Sequence, residues 1–243
     1  SVTANITAVN DAPSGLAATM FTAINEDAFS SAGKLVSDFT ASTVDADAGA
    51  LKGIAITGAN NTNGQWQYAL DGSSWVNVGT VAPTSALLLP SDATTRVRFV
   101  PDANFNGVAF PFSAVAWDQT TGVAATLADA SAGGGTTAFS ATSISVSITV
   151  NAVNDAPVAS GSATLAAIAE DTTAPPGATV SSLFGANFSD TTDQVSGGSS
   201  ADSFAGIAIS NYTVDGSKGV WQFSNNGGTS WAALVSATSN AAI

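Results

Sequence analysis

Cysteine and histidine are both missing from this chain. Without cysteine there is no disulfide, no thiolate nucleophile and no sulfur-ligated metal. Without histidine the commonest general base and the usual zinc ligand are gone. Charge is scarce as well: 9% of residues are charged, against about a quarter in ordinary soluble domains. Five basic residues stand against 18 acidic ones, a formal charge of −13. Such a surface repels nucleic acid phosphates and anionic lipids and attracts cations. No apolar run approaches the roughly 18 residues of a membrane span, and no secretory leader is visible at Ser1. Neither a G-x-S-x-G elbow nor a phosphate-cradling glycine loop is present, so the text offers no catalytic apparatus and reads as a non-enzyme.

What is present is repetition. AVNDAP stands at Ala8–Pro13 and again at Ala152–Pro157. In that register Ser1–Val9 lies over Ser145–Val153, and Asn25–Asp27 over Ala169–Asp171. Gly33–Phe39 matches Gly177–Phe184 with one insertion, and Leu51–Ala59 matches Phe204–Tyr212. The longest match sets GQWQYALDGSSW (Gly64–Trp75) against GVWQFSNNGGTSW (Gly219–Trp231). Trp66 falls on Trp221, Tyr68 on Phe223 and Trp75 on Trp231, in a chain with only 5 Trp. Ile243 lies opposite about Leu87, so Leu88–Ser145 has no counterpart. The expected organisation is a terminal strand of a preceding repeat at 1–10, a complete unit at 11–153 and a partial second unit at 154–243. A text that opens inside a β-like pattern reads as a piece of something longer.

Alternation of period two dominates. It predicts strands at VTANITAV, KGIAITGA, GQWQYAL, TTRVRFV, VAFPFSAVAW, AATLAD and TSISVSITV, separated by DG, NG, NNGG and SAGGG turns. LVSDF and VSSLF are the short segments that read as helical turns. QYALDGSSW predicts a hairpin turning at Asp71-Gly72. Strand periodicity puts Trp66, Tyr68 and Leu70 on one face. They serve either as a core plug or as an aromatic platform for sugar stacking; recurrence in both copies favours the core. Short strands with glycine-rich turns argue for an all-β antiparallel sandwich.

The acids are patterned. The chain has two Glu, Glu26 and Glu170, at equivalent places in the repeat and each followed by Asp. Asp45 and Asp47 flank one residue; Asp190 is their counterpart, with Asp193 nearby. PDANFNG offers Asp102, Asn104 and Asn106; Asp118 follows a strand; Asp11 and Asp155 sit in the repeated hexapeptide. Closely spaced carboxylates, amides and carbonyls are hard oxygen ligands that suit Ca²⁺. The same text also describes capped bends.

Together these marks resemble the cadherin-like tandem repeats (VCBS or RTX type) of large secreted bacterial adhesins. The features shared are a VNDAP linker (Val9–Pro13, Val153–Pro157), an acidic pair (Asn25–Asp27, Glu170–Asp171) and a D-x-D turn (Asp45, Asp47). A P-x-x-N-F-x-G segment (Pro101–Gly107) and a closing strand (Ser145–Val150) complete the set. The resemblance implies immunoglobulin/cadherin-like Greek-key β-sandwich repeats strung end to end, with adjacent repeats as partners, outside the bacterial cell. It implies Ca²⁺ at the junctions, held by Glu26, Asp45, Asp47, Asp118 and Asp155 for the full unit. Asp11, from the preceding junction, and Glu170 and Asp190, of the partial unit, complete the set. The function implied is a calcium-stiffened extender of a surface adhesin. The alternative is a calcium-assisted carbohydrate-binding module using exposed aromatics such as Trp75, Trp117 or Trp231. No nucleic acid partner and no membrane insertion are expected.

Overall fold

A computed structural model describes every residue except Ser1, Val2 and Ile6. Part of the strand expected over 1–10 therefore lies outside the described residues; residues 3–5 and 7–10 form no strand. The chain divides into two units. One comprises Ser1–Asn154 with Asp193–Ser200, the other Asp155–Thr192 with Ala201–Ile243. Structure is very largely β, in several small sheets.

The first unit contains β1 (Ile24–Asn25), β2 (Lys34–Leu35), β3 (Gly53–Ala59), β4 (Gly64–Ala69), β5 (Val76–Asn77) and β6 (Ala86–Pro90). It continues with β7 (Arg96–Pro101), β8 (Gly107–Val108), β9 (Phe112–Trp117), β10 (Leu127–Ala128), β11 (Phe139–Val146) and β12 (Thr149–Asn151). The one-turn helix α1 (Val36–Phe39) is the predicted LVSDF turn. A five-stranded sheet runs β10-β6-β3-β9-β11 and a four-stranded sheet β2-β7-β4-β5. A third, β1-β12-β8, has β1 parallel to β12.

Alternation sorts side chains between two clusters. Ile54 and Ile56 of β3, Leu87 and Leu89 of β6, and Phe112 and Ala114 of β9 enter one core with Trp66 of β4 and Val97 and Phe99 of β7. The intervening Ala55, Leu88, Val115 and Trp117 join Ala130, Ala138 and Phe139 on the other face. With apolar cover on both faces, β6 reads Ala-Leu-Leu-Leu-Pro without alternation. That is why the period-two pattern did not reveal it. Trp66 sits at the centre, its ring centroid 4.9 Å from Phe112 and 5.1 Å from Phe99.

Two segments that read as single strands are broken. VAFPFSAVAW splits at Pro111, which has no N–H for a ladder. β8 before the break pairs with β12, and β9 after it pairs with β3 and β11. TSISVSITV splits likewise, β11 staying with β9 while β12 pairs with β1 and β8. The chain changes sheet at both breaks.

The second unit is sparser. β13 (Val158–Ala159) pairs with β14 (Phe188–Ser189), and β15 (Gln222–Phe223) with β16 (Ala232–Ala233). Helix α2 (Val180–Phe184) is the predicted VSSLF turn; Thr179 Oγ1 caps it by accepting from Ser182 N at 3.2 Å. Phe188 and Phe204 make an edge contact at 5.7 Å. The segment matched in sequence to β3 forms no strand, yet Ile209 and Ile243 exchange both backbone hydrogen bonds. Their counterparts Ile56 and Leu87 are paired across β3 and β6.

Candidate functional site

The repeated hexapeptide is fastened to the first unit by side chains. At its first copy, Asn10 Nδ2 donates to Asp118 Oδ2 at 2.9 Å and to the Thr137 carbonyl at 3.1 Å. Asp11 N donates to Asp47 Oδ2 at 2.8 Å, and Asp47 N donates to Asp45 Oδ1 at 2.8 Å. Pro13 is buried. At the second copy, Val153 N donates to Glu26 Oε1 at 2.5 Å.

Glu26 is 1% exposed and acts as a hub. Besides Val153, its Oε2 accepts from Asn106 Nδ2 at 2.9 Å, and its backbone N–H donates to the Asn151 carbonyl. Asn106 is buried in turn and fully engaged. Its Nδ2 also donates to Ser199 Oγ at 2.8 Å, and its Oδ1 accepts from Ser199 N at 2.6 Å. Residues 193–200 thus close over the Asn106 turn as a clasp. Gly198 is required there, because a Cβ would run into the Asn106 carboxamide and its backbone carbonyl.

The remaining predicted positions are distributed as follows. Asp118 is buried; its Oδ1 accepts from Thr120 N and Oγ1 at 2.8 and 2.6 Å. Asp190 is buried and accepts from Asp202 N at 2.6 Å. Asp155 is half-buried at the start of the second unit, and Glu170 is exposed. Glu170 is the repeat counterpart of Glu26, but the partners that bury Glu26 come from Asn106 and Val153. Asn106 belongs to Leu88–Ser145, which has no second copy. Asp45 Oδ2 and Asp190 Oδ1 are buried without a hydrogen-bond partner. In each case the sister oxygen takes a backbone N–H, which compensates part of the charge.

Calcium is corrected by this geometry. No group of three or more acidic side chains among the described residues stands close enough together to hold a metal ion. The physical reason is visible in how the acids are used. Five aspartates cap a D-x-[ST] turn, the carboxylate accepting an N–H and a hydroxyl from residue i+2 or i+3, on one oxygen at Asp118, Asp129 and Asp215 and on both oxygens at Asp71 and Asp92. Of these caps only Asp118 was an expected ligand, and the other expected carboxylates are engaged apart from one another: Glu26 takes Val153 N and Asn106 Nδ2, Asp47 takes Asp11 N, Asp45 takes Asp47 N, Asp190 takes Asp202 N, and Glu170 is exposed. The turn bonds hold Asp71, Asp129 and Asp215 below the usual carboxylate range, through Ser74, Ser131 and Ser217 respectively. At Asp92 desolvation works in the opposite direction, but the bonds from Thr95 and Thr94 outweigh it and its pKa is lowered too.

The aromatics divide between the units. Trp66 is fully buried, its Nε1 donating to the Phe110 carbonyl at 3.1 Å, and Tyr68 packs on the same core. Trp75 is half-buried beneath Arg98, whose guanidinium carbon lies 4.1 Å from the ring centroid. Trp117 is buried. Their second-unit counterparts are open: Trp221 is 59%, Phe223 44% and Trp231 45% exposed. Trp221 and Trp231 line a groove of about 900 Å³ with Tyr212, Pro175 and Pro176.

No protein-family model matches the chain, and neither curated proteins nor solved structures give a significant match. Sequence reasoning missed the hub role of Asn106 and the clasp at Gly198 and Ser199. It also passed over D-x-[ST], the pattern that the five turn-capping aspartates share.

Proposed function

We propose that the chain is a structural extender repeat of a large bacterial surface adhesin, built on an immunoglobulin- or cadherin-like Greek-key sandwich. Its role is mechanical rather than catalytic. The observation that carries this reading is that both AVNDAP copies are tied by side chains to the unit they bracket, through Asp118 and Asp47 at one and Glu26 at the other. A linker hydrogen-bonded into the body it leaves transmits tension and orientation; a solvated linker would not. The acidic, cation-poor surface suits a stalk that must not stick to its own kind or to anionic envelopes. Pulling a tandem array of this chain by atomic force microscopy should give a regular unfolding peak for the first unit, weakened by Glu26→Gln. Extension without a resolved peak would overturn the reading.

One observation favours a second reading, a carbohydrate-binding module. Trp221 and Trp231 face solvent in one groove, the arrangement that sugar stacking uses. A glycan array probed with the full chain separates the two: saturable binding lost in Trp221→Ala would replace the extender with a lectin-like module.

A further inference from the structure

The two Trp-bearing hairpins are the same object in different surroundings. Gln67 pairs with Asn77 and Tyr68 with Val76 in the first; Gln222 pairs with Ala233 and Phe223 with Ala232 in the second. Val78 N donates to the Trp66 carbonyl at 2.9 Å, and Leu234 N to the Trp221 carbonyl at 2.8 Å. Gly33 meets the Cη2 edge of Trp75, and Gly177 the same edge of Trp231; a Cβ would lie 2.8 and 2.5 Å away.

What differs is the other edge. β4 pairs along its far side with β7, matching Trp66 to Phe99, Gln67 to Arg98 and Tyr68 to Val97. Arg98 stacks on Trp75 and its Nε donates to Gln67 Oε1 at 2.8 Å. Among the described residues β15 pairs with β16 alone. Yet the second unit keeps every receiving group: Trp221 for Phe99, Phe223 for Val97, and Gln222 and Trp231 for the guanidinium. All four side chains are exposed, Gln222 and Phe223 on β15, Trp221 just before it, and Trp231 just before the paired strand β16. Charge agrees. The second unit carries Asp155, Glu170, Asp171, Asp190, Asp202 and Asp215 against Lys218 alone, whereas β7 holds two of the chain's five basic residues.

We propose that the free edge of β15 is an acceptor for an extended peptide strand of alternating arginine and large apolar residues, added antiparallel as β7 is added to β4. Main-chain pairing supplies the generic affinity, and the Trp231 face with Gln222 selects arginine over other side chains. A strand lacking arginine at the position facing Gln222 loses both contacts. This inference rests on the internal repeat and stands whether or not the chain is an adhesin.

The test uses the full chain and a fluorescently labelled synthetic peptide of residues 94–101, read by anisotropy. Saturable binding is expected, accompanied by a blue shift of tryptophan emission. Affinity should fall by about tenfold or more in Trp231→Ala and in Gln222→Ala. A peptide with both arginines changed to glutamate should not bind; this arm leaves the protein untouched, so it holds even where a variant folds poorly. Trp75→Ala, whose partner strand is already in place, should bind the peptide as the parent does. The proposal is overturned by absence of saturable binding, by equal binding of the arginine and glutamate peptides, or by insensitivity to both β15-hairpin variants. Self-association through this edge that the peptide cannot reverse, or competition by a glycan but not by unlabelled peptide, overturns it as well.

Discussion

At the scale of single residues, Glu26 and Glu170 make the sharpest comparison. They occupy equivalent places in the repeat, but one is buried with its carboxylate accepting from two donors and the other faces solvent. Glu26→Gln keeps the shape and removes an acceptor, turning an amide N–H₂ toward the Asn106 or Val153 donor. Stability of the first unit should fall by about 2–3 kcal/mol, the cost of losing a charge-assisted bond and stranding a buried donor. Glu170→Gln should stay within about 0.5 kcal/mol. Urea unfolding followed by circular dichroism measures both; equal effects would remove the hub role. The sequence marked Glu26 as special because glutamate occurs only there and at its copy. It could not show what Glu26 does. Its partners Asn106 and Val153, and Ser199 beyond Asn106, lie far along the chain, and no local pattern announces a contact between them.

Turns and strands are the next scale. Period two located β4 and β7, where buried and half-buried residues alternate, and β3, β9 and β11, where bulky apolar residues are interrupted by Ala, Ser or Thr. It missed β6, which is covered on both faces, and ran through the sheet changes at Pro111 and before Ile148, where topology rather than periodicity decides. The hairpin at Asp71-Gly72 was legible, with Gly72 at φ 78° and Asp71 accepting from Ser73 and Ser74. Read as turn caps, the aspartates predict an acid response. Asp71, Asp92, Asp129 and Asp215 have folded-state pKa values below the usual carboxylate value. Their contribution is therefore fully present above the unfolded value of about 3.9 and is lost as pH falls through the lower folded values. Tm should be level above about pH 5 and drop below about pH 4. A Tm that rises on acidification would mean that relief of repulsion among 18 carboxyl groups outweighs the loss of caps.

For the molecule as a whole, the contrast between units governs behaviour. Of the buried hydrophobic residues among those described, only Leu234 and Ala237 belong to the second unit. The sequence aligns Ile209 with Ile56 and Ile243 with about Leu87, and the backbone bonds between Ile209 and Ile243 parallel the pairing of Ile56 with Leu87. The unequal burial follows from the same alignment, since β7, β9 and most of β11, which cover Trp66 and its neighbours, have no second copy. One small feature turns this imbalance into a handle. Trypsin cuts only after lysine and arginine, and four of the five such residues are held in or beside the sheets of the first unit. Arg96 and Arg98 lie in a strand paired on both sides, Lys34 lies in β2, and the Lys52 carbonyl is bound by Ser91 and Gln119. Lys218 alone projects from a turn, its side chain 84% exposed beside Asp215. Brief digestion of the folded chain, followed by intact-mass spectrometry, should therefore show a first clip after Lys218. That clip frees residues 219–243 with Trp221 and Trp231 and leaves the doubly anchored linkers whole. Early cuts at Lys34 or Lys52 would contradict it.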